Sequence, residues 1–444
     1  MISIIIPVIR PEKAKRCIAS IHENAGIPRH QYEIITEVDE HRIGCPKMVK
    51  RLVEKTRYDL ICFLGDDTRM APDCLKNALL TMNRFPDGWG LVALNEQNPR
   101  KHRATASHFL AHKTLLPPLG GEFFSTAYRH AYCDNELADR AMELGRYAFA
   151  QNAVIIHDHP INGGERDADY DRVYRSDNVR HDHRLYLDRK LKAGRSSLAI
   201  GLPLVESRVP VQFMASFLVM DKPDFTLLMP TFPVGTFAGN IADARNSLVT
   251  QALDEHCTHL LMMDTDQIYP PDTIAKLMGH SQPVVGTPVH RRWPPFDPIL
   301  YRGKPGQYVH VPDGECYSGA MVPVDATGCG CILYDLRVFF DLEMPWFKIE
   351  KLPDGKTLGE DLGLCARLRE NDVPIYVDTS IEIGHLTTYQ VNRSTYELFK
   401  KFNQFQYREA PLKPEDRGQR TEGGKSPSSV LRHPSAEGPR SEAA

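Results

Sequence analysis

The feature that most limits the fold of this chain is an alternation of two segment types, met twice in the same order. "ISIIIPVI" (2–9) is a near-continuous apolar, β-branched run, the signature of a strand covered on both faces. "PEKAKRCIASIHENAG" (11–26) follows, with Ala14, Cys17, Ile18 and Ile21 at helical spacing and Gly26 as a stop. Strands are then predicted at 32–38, 59–67 and 89–95, with helices at 46–56 and 72–84 between them. Such alternation predicts a mostly parallel sheet with helices on both faces.

The same grammar returns after residue 195. Strands are predicted at 197–205, 224–232, 258–266 and 283–289, and helices at 209–220, 240–256 and 270–280. This is a whole-domain repeat offset by about 195–200 residues, and 444 residues are enough for two such domains. Residues 1–194 are assigned to domain one. They end in the charged, helical stretch 169–194, which also serves as linker. Residues 195–411 are assigned to domain two. The remainder, 412–444, lacks aromatic residues and is rich in Pro, Gly, Ser and charge. It cannot bury enough apolar area to offset its ordering entropy and is expected to be disordered.

Composition narrows the class. Apolar residues make up 42% and charged residues 25%, and a net charge of -3 supplies no global basic field for nucleic acid. Ten cysteines without regular spacing, several inside apolar runs, read as buried thiols of a reducing compartment. Cys329 and Cys331 form a CxC, but no second pair at zinc spacing accompanies them. The N-terminus lacks a basic leader and cleavage site, and the longest apolar stretches (198–205 and 209–220) are too short to span a bilayer. A cytoplasmic protein without a membrane span is expected.

Each third predicted strand ends on acids: "FLGDD" with Asp66 and Asp67, and "MMDTD" with Asp264 and Asp266. In an open α/β sheet, ligands bind beyond the carboxyl ends of the strands. Acids there can be turn formers and N-caps, or can hold a divalent cation against phosphates. Their recurrence favours the cation. Downstream, Asp361 opens a helix with Glu360 beside it, and a strand expected to end at His385 follows. In the first half Asp134 opens a helix, and His157 and His159 end the next strand.

With these pieces in order, both halves resemble GT-A-fold glycosyltransferases of the family 2 type. The resemblance is carried by "ISIIIPVIRPEKAKRCIASI", "FLGDDTRMAPDCL" and "CDNELADRA" in one half, and by "ADARNSLV", "MMDTDQIYPPDTI", "GEDLGLCARL" and "GHL" in the other. It covers residues 1 to about 400. It implies a nucleotide-diphosphate sugar as donor, bound through Pro7, Asp66, Asp264 and Arg245. Glu37 and Asp39 at the end of strand two are implied to meet the nucleobase. Mn2+ or Mg2+ would be held by Asp67 and Asp266, completed by His385 and by His157 or His159. Asp134 and Asp361 would be general bases in a single, inverting displacement. Similar enzymes occur in bacteriophage genomes, so the implied acceptors include glycans, proteins and modified DNA bases.

The two halves depart from the pattern differently. Domain one has "GDD" in place of a spaced pair and Cys133 where domain two has Glu360, whereas domain two lacks an acid at the end of strand two. Two active domains are expected, and one active domain beside a degenerate one is the principal alternative; domain two keeps the fuller motif set and is then the half expected to be active. "TGCGC" (327–331) is either a close approach of backbone to the donor sugar or acceptor or a tight turn. Trp293 and Trp346 are candidates for sugar stacking or for packing. A nucleotidyltransferase would need a Gly-rich phosphate loop after strand one, where "PVIRPEK" and "PLVESRV" stand instead. A non-enzymatic binding module is the third possibility; paired acids argue against nucleic-acid contact as its role.

Overall fold

A computed structural model describes residues 1–97, 105–205, 208–230, 240–293, 295–387 and 393. The first half runs β1 (Ile2–Val8), α1 (Pro11–Asn24), β2 (Tyr32–Val38), α2 (Cys45–Glu54), β3 (Leu60–Phe63), β4 (Thr68–Met70), α3 (Cys74–Met82), β5 (Leu91–Asn95), β6 (Phe109–His112), α4 (Cys133–Glu143) and β7 (Tyr147–His157). Two helices follow, α5 (Ala168–Val173) and α6 (Ser176–Lys192). The second half opens with β8 (Leu198–Gly201), α7 (Val211–Val219), β9 (Phe225–Leu228), α8 (Ile241–Asp254), β10 (His259–Met263), β11 (Gln267–Ile268), α9 (Thr273–Gly279) and β12 (Val284–Gly286). It continues with β13 (Leu300–Arg302), β14 (Val309–His310), α10 (Asp313–Cys316), β15 (Met321–Val324), β16 (Ala326–Thr327), β17 (Cys331–Asp335), β18 (Glu350–Lys351), β19 (Thr357–Leu358), α11 (Glu360–Glu370), β20 (Ile375–Asp378) and β21 (Gly384–His385).

The strands form two seven-stranded sheets, ordered β2-β1-β3-β6-β5-β7-β4 and β15-β20-β12-β17-β10-β8-β9. Both are mixed, with a Rossmann-like core. In the first, β2, β1 and β3 run parallel, β6 is antiparallel to both its neighbours, and β5 and β7 are parallel again. In the second, β9, β8 and β10 are parallel, β17 is antiparallel on both sides, and β12 and β20 are parallel. The expected mostly parallel sheet is corrected to this mixed pattern. The interior antiparallel strands fall in segments, 109–112 and 331–335, that do not follow the βα alternation, and the edge strands β4 and β15 are antiparallel to β7 and β20.

Strand β1 explains why its sequence is apolar throughout. Ile2, Ile4 and Ile6 pack into a core formed with α1 and α3, while Ile5 points to the opposite side. Successive side chains of a strand face opposite ways, so a strand with two covered faces needs both parities apolar. Each fully buried Ile contributes roughly 1.5–3 kcal/mol. In β10, Leu260 and Met262 likewise face the core that holds Ile5, and Leu261 and Met263 face an outer one under α7 and α9. The shared middle core includes Val49 of α2, Leu187 of α6 and Leu248 of α8, so the halves are joined by apolar packing. Gly26 ends α1 with φ +73°, and a Cβ there would meet Asp73.

Several expected boundaries move. The strands at 59–67 and 258–266 stop at Phe63 and Met263, leaving the acids just beyond the strand ends. The strands expected at 197–205 and 283–289 shorten to Leu198–Gly201 and Val284–Gly286. The strand expected at 224–232 stops at Leu228, and its last two residues lie outside the described residues. The strand expected to run to His385 is two: β20 ends at Asp378, and His385 sits on the separate two-residue β21. The tail at 412–444 lies outside the described residues. Among the described residues no helix is long and apolar enough to cross a membrane.

Candidate functional site

The sheet register fixes which residues correspond between the halves. Thr68 pairs with His157 across β4 and β7, and Gln267 pairs with His385 across β11 and β21. Asp67 and Asp266 each immediately precede the paired residue, so they are equivalents. Asp66 then corresponds to Thr265, and Gly65 to Asp264. The sequence pairing of Asp66 with Asp264 is therefore out by one residue. A one-residue shift along an extended segment turns a side chain to the other face.

The turned side chain has another task. One Asp66 oxygen accepts from the backbone N–H groups of Ile9 and Arg10, both at 2.7 Å, and the other takes the Arg10 guanidinium at 2.8 Å. Asp66 thus clamps the β1–α1 turn. Arg10 also reaches Asp67 at 3.1 Å. The Asp67 Oδ1 lies 3.4 Å from His157 Nε2. Burial opposes ionisation of Asp67, but His157 and Arg10 outweigh it and hold the carboxyl well below its usual range. Burial would likewise lower His157; hydrogen bonds to Asp67 and Glu96 push it up to about 9.

Glu96 and His108 were not legible as site residues. Glu96 Oε2 lies 3.1 Å from His157 Nδ1, and Glu96 Oε1 lies 3.2 Å from His108 Nδ1. Glu96, His108 and His157 offer ligand atoms within 4.8 Å of one another, a donor set that can hold a divalent ion. The signal was a Glu directly after the strand "LVALN" and a His directly before the strand "FLAH".

Around this cluster lies a cavity of about 890 Å³. Pro7, Asp39, Asp66, Asp67, Asp134, His157 and His159 line it. Asp39 is buried and accepts from Ile43 and Gly44 N–H, which orders the turn into α2. Glu37 does not line the cavity. It stays on β2 and pairs with Arg51 of α2 at 2.6 Å and with Lys55 just after that helix at 2.5 Å, whereas Asp39, of the same strand parity, lies past the strand's end at Val38, where the turn redirects its side chain. Asp134 is the second residue of α4 and accepts from Ser107 Oγ at 2.5 Å. The His159 ring lies 5.1 Å from that of His157.

The second half repeats the Asp–His contact and changes its surroundings. Asp266 Oδ2 lies 3.4 Å from His385 Nε2 and 2.8 Å from Arg292. His385 Nδ1 faces the His290 carbonyl at 2.5 Å, which turns Nε2 towards the carboxylate. Among the described residues, the group whose ligand atoms lie close enough to hold a metal ion is Glu96, His108 and His157 of the first half; the second half repeats the Asp–His contact without a third such ligand. Asp264 is held by Arg245, which also donates to the Cys329 carbonyl at 2.9 Å and lies 3.6 Å from Glu360. Arg245 is 4% exposed, so it is a buried charge and not a solvated one. Asp361, second residue of α11, accepts from Leu362 N–H at 2.7 Å. Burial, with the Glu360 charge next, pushes its carboxyl up to about 6.

The glycine-rich stretch serves this acid group. The Gly330 carbonyl accepts from Asp264 N–H and from the Tyr269 hydroxyl, and a Cβ on Gly330 would lie 2.1 Å from the Gln267 amide nitrogen. All ten cysteines are free thiols, Cys329 and Cys331 among the buried ones. Trp346 is buried and donates to the Phe339 carbonyl, which makes it core, whereas Trp293 is 62% exposed.

No protein-family model matches the chain, and no curated protein matches it. Solved structures similar to it include A197 from STIV, 14% identical over 43% of this chain and 86% of that one, with a TM-score of 0.30. Residues 1–349 of TarS from S. aureus, in complex with UDP-GlcNAc, are 13% identical over 43% of this chain and 66% of that one, at 0.35. The mannosyltransferase PcManGT from Pyrobaculum calidifontis, in complex with GDP-Man and Mn2+, is 14% identical over 44% of this chain and 64% of that one, at 0.35. The chain thus spans just under two thirds of the length of the last two.

Proposed function

We propose that the chain is a metal-dependent, inverting glycosyltransferase built from two tandem GT-A-type halves, divided near residue 194, with a nucleotide-diphosphate sugar bound at the first. The observation that carries this reading is the strand-end Asp–His contact, 3.4 Å in each half, which in the first half lines the same cavity as Asp134 at the second position of a helix. In the first half these groups share one cavity, whose volume suits a nucleotide sugar. Asp39, Asp66, Asp67 and Asp134 make its wall acidic, so a diphosphate needs a cation between itself and that wall. Asp67 and His157 would hold Mn2+ or Mg2+, which supplies charge neutralisation on the departing diphosphate.

The protein's own groups do the rest. Pro7 and Asp39 border the end where a nucleobase would lie, and Asp66 keeps the intervening turn closed. Asp134 takes the proton of the acceptor hydroxyl. The acceptor oxygen then bonds to the anomeric carbon, and the bond from that carbon to the phosphate oxygen breaks with its electron pair on the diphosphate. One base opposite one leaving group gives inversion.

A second reading is favoured by Arg245. A buried guanidinium bound to Asp264 and close to Glu360 occupies the acid group of the second half, which makes that half a binding module beside an active first half. The test is thermal shift of the full chain with UDP or GDP, with and without Mn2+. A stabilisation that needs Mn2+ and disappears in Asp67→Asn is expected. No shift with any nucleoside diphosphate would remove the glycosyltransferase reading.

A further inference from the structure

The cavity that Asp134 lines also has an aromatic part to its wall, which comes from three places: Tyr132 before α4, Tyr186 and Lys190 on α6, and His256 just after α8 of the second half. Tyr132 has φ 63° immediately before α4, a conformation that costs energy in a non-Gly residue and is held only by its surroundings. Its ring stacks on His183 at 4.3 Å and on Tyr186 at 5.7 Å, and meets the edge of His256 at 5.4 Å. His256 also has a positive φ, 54°, and Lys190 Nζ donates to its carbonyl at 2.9 Å. The His256 Nδ1 is buried without a hydrogen-bond partner among the described residues.

Resting on the glycosyltransferase reading, we infer that this aromatic part of the cavity is a carbohydrate acceptor subsite which the second half completes, with Tyr132 and His256 as the wall facing the sugar ring and Tyr186 buried behind them. Sugars present C–H faces and a rim of hydroxyls. Aromatic faces take the first, and ring nitrogens and a Lys ammonium take the second. The subsite adjoins Asp134, the group that must meet the acceptor hydroxyl, and Tyr132 lies two residues before it. Packing between halves alone would require the aromatic cluster, but not its place on the wall of the cavity that holds the base.

The test uses the full chain with Mn2+ and whichever of UDP-glucose, UDP-N-acetylglucosamine or GDP-mannose shifts its melting. Release of nucleoside diphosphate is followed with methyl glucosides, galactosides, mannosides and N-acetylglucosaminides as acceptors. At least one glycoside should stimulate release saturably. His256→Leu, which keeps bulk and removes both ring nitrogens, should raise the KM for that glycoside about tenfold, the scale of one lost hydrogen bond. Its nucleotide-induced melting shift should match wild type. A glycoside KM unchanged in His256→Leu would place the subsite elsewhere, and a lower melting point with that unchanged KM would mark the cluster as packing. Donor binding without stimulation by any glycoside would overturn the carbohydrate assignment while leaving the nucleotide site standing. No donor binding at all would overturn both.

Discussion

The two halves reach the same Asp–His contact by different routes. In the first, β7 runs unbroken from Tyr147 to His157, and one strand pairs with both β5 and β4. In the second, the chain leaves the sheet at Asp378, whose carboxylate takes Ser380 N–H and His280 Nε2, and rejoins β11 at Gly384. The acid groups differ in the same spirit. Five residues after the residue that precedes each helix, α2 carries Val49 and α8 carries Arg245; at the matching strand ends stand Gly65 and Asp264. One half fills this position with a methyl-bearing side chain and no carboxylate, the other with a buried ion pair. Such a swap is close to neutral in stability when both partners change and costly when one does. The pair is thus free to differ between copies, while the Asp–His contact is common to both.

The largest test of the comparison is kinetic. Asp134→Asn and Asp361→Asn, each made alone, should separate the halves, since losing a general base typically costs 10²–10⁴-fold in turnover. Loss in Asp134→Asn with Asp361→Asn near wild type is expected if the first half alone transfers; loss of one of two products in each variant would show both at work. Next in size, Arg245→Ala strands Asp264 and Glu360 and should destabilise the fold by about 3 kcal/mol in chemical denaturation. An effect near zero would mean that the pair is not the buried charge contact described.

The smallest effect is the pH dependence, which should have the same sign in both halves but separate windows. The raised His157 stabilises the native state fully below its unfolded value of 6.5, and that contribution is lost as pH rises through about 9. Asp361, raised to about 6, keeps a proton that the unfolded chain has released, so stability falls as pH rises from 3.8 to about 6. His157→Gln should flatten only the upper window and Asp361→Asn only the lower one, read from denaturation midpoints across pH.

Much of this was legible because strand ends and helix starts carry short-range signals. Asp67, Asp266, Asp134 and Asp361 stand next to apolar runs whose period names the element. That Asp66 is not the counterpart of Asp264 was hidden because "GDD" and "DTD" differ by one register step, which only the ladder partners of Thr68 and Gln267 reveal. Glu37 and Asp39 could not be told apart from strand parity without knowing where β2 ends. Glu96 and His108 were invisible for another reason. They meet through the pairing of β5 with the antiparallel β6, a contact that no local pattern announces.

Gly330 sets a limit on how far this molecule can vary. Gln267 is fully buried, and its partner across the short ladder is His385. A side chain at 330 would meet the end of the Gln267 side chain, whose amide nitrogen has no hydrogen-bond partner among the described residues, so Gly330→Ala requires that buried amide to turn aside, and bulkier residues should lower the melting point more than alanine does.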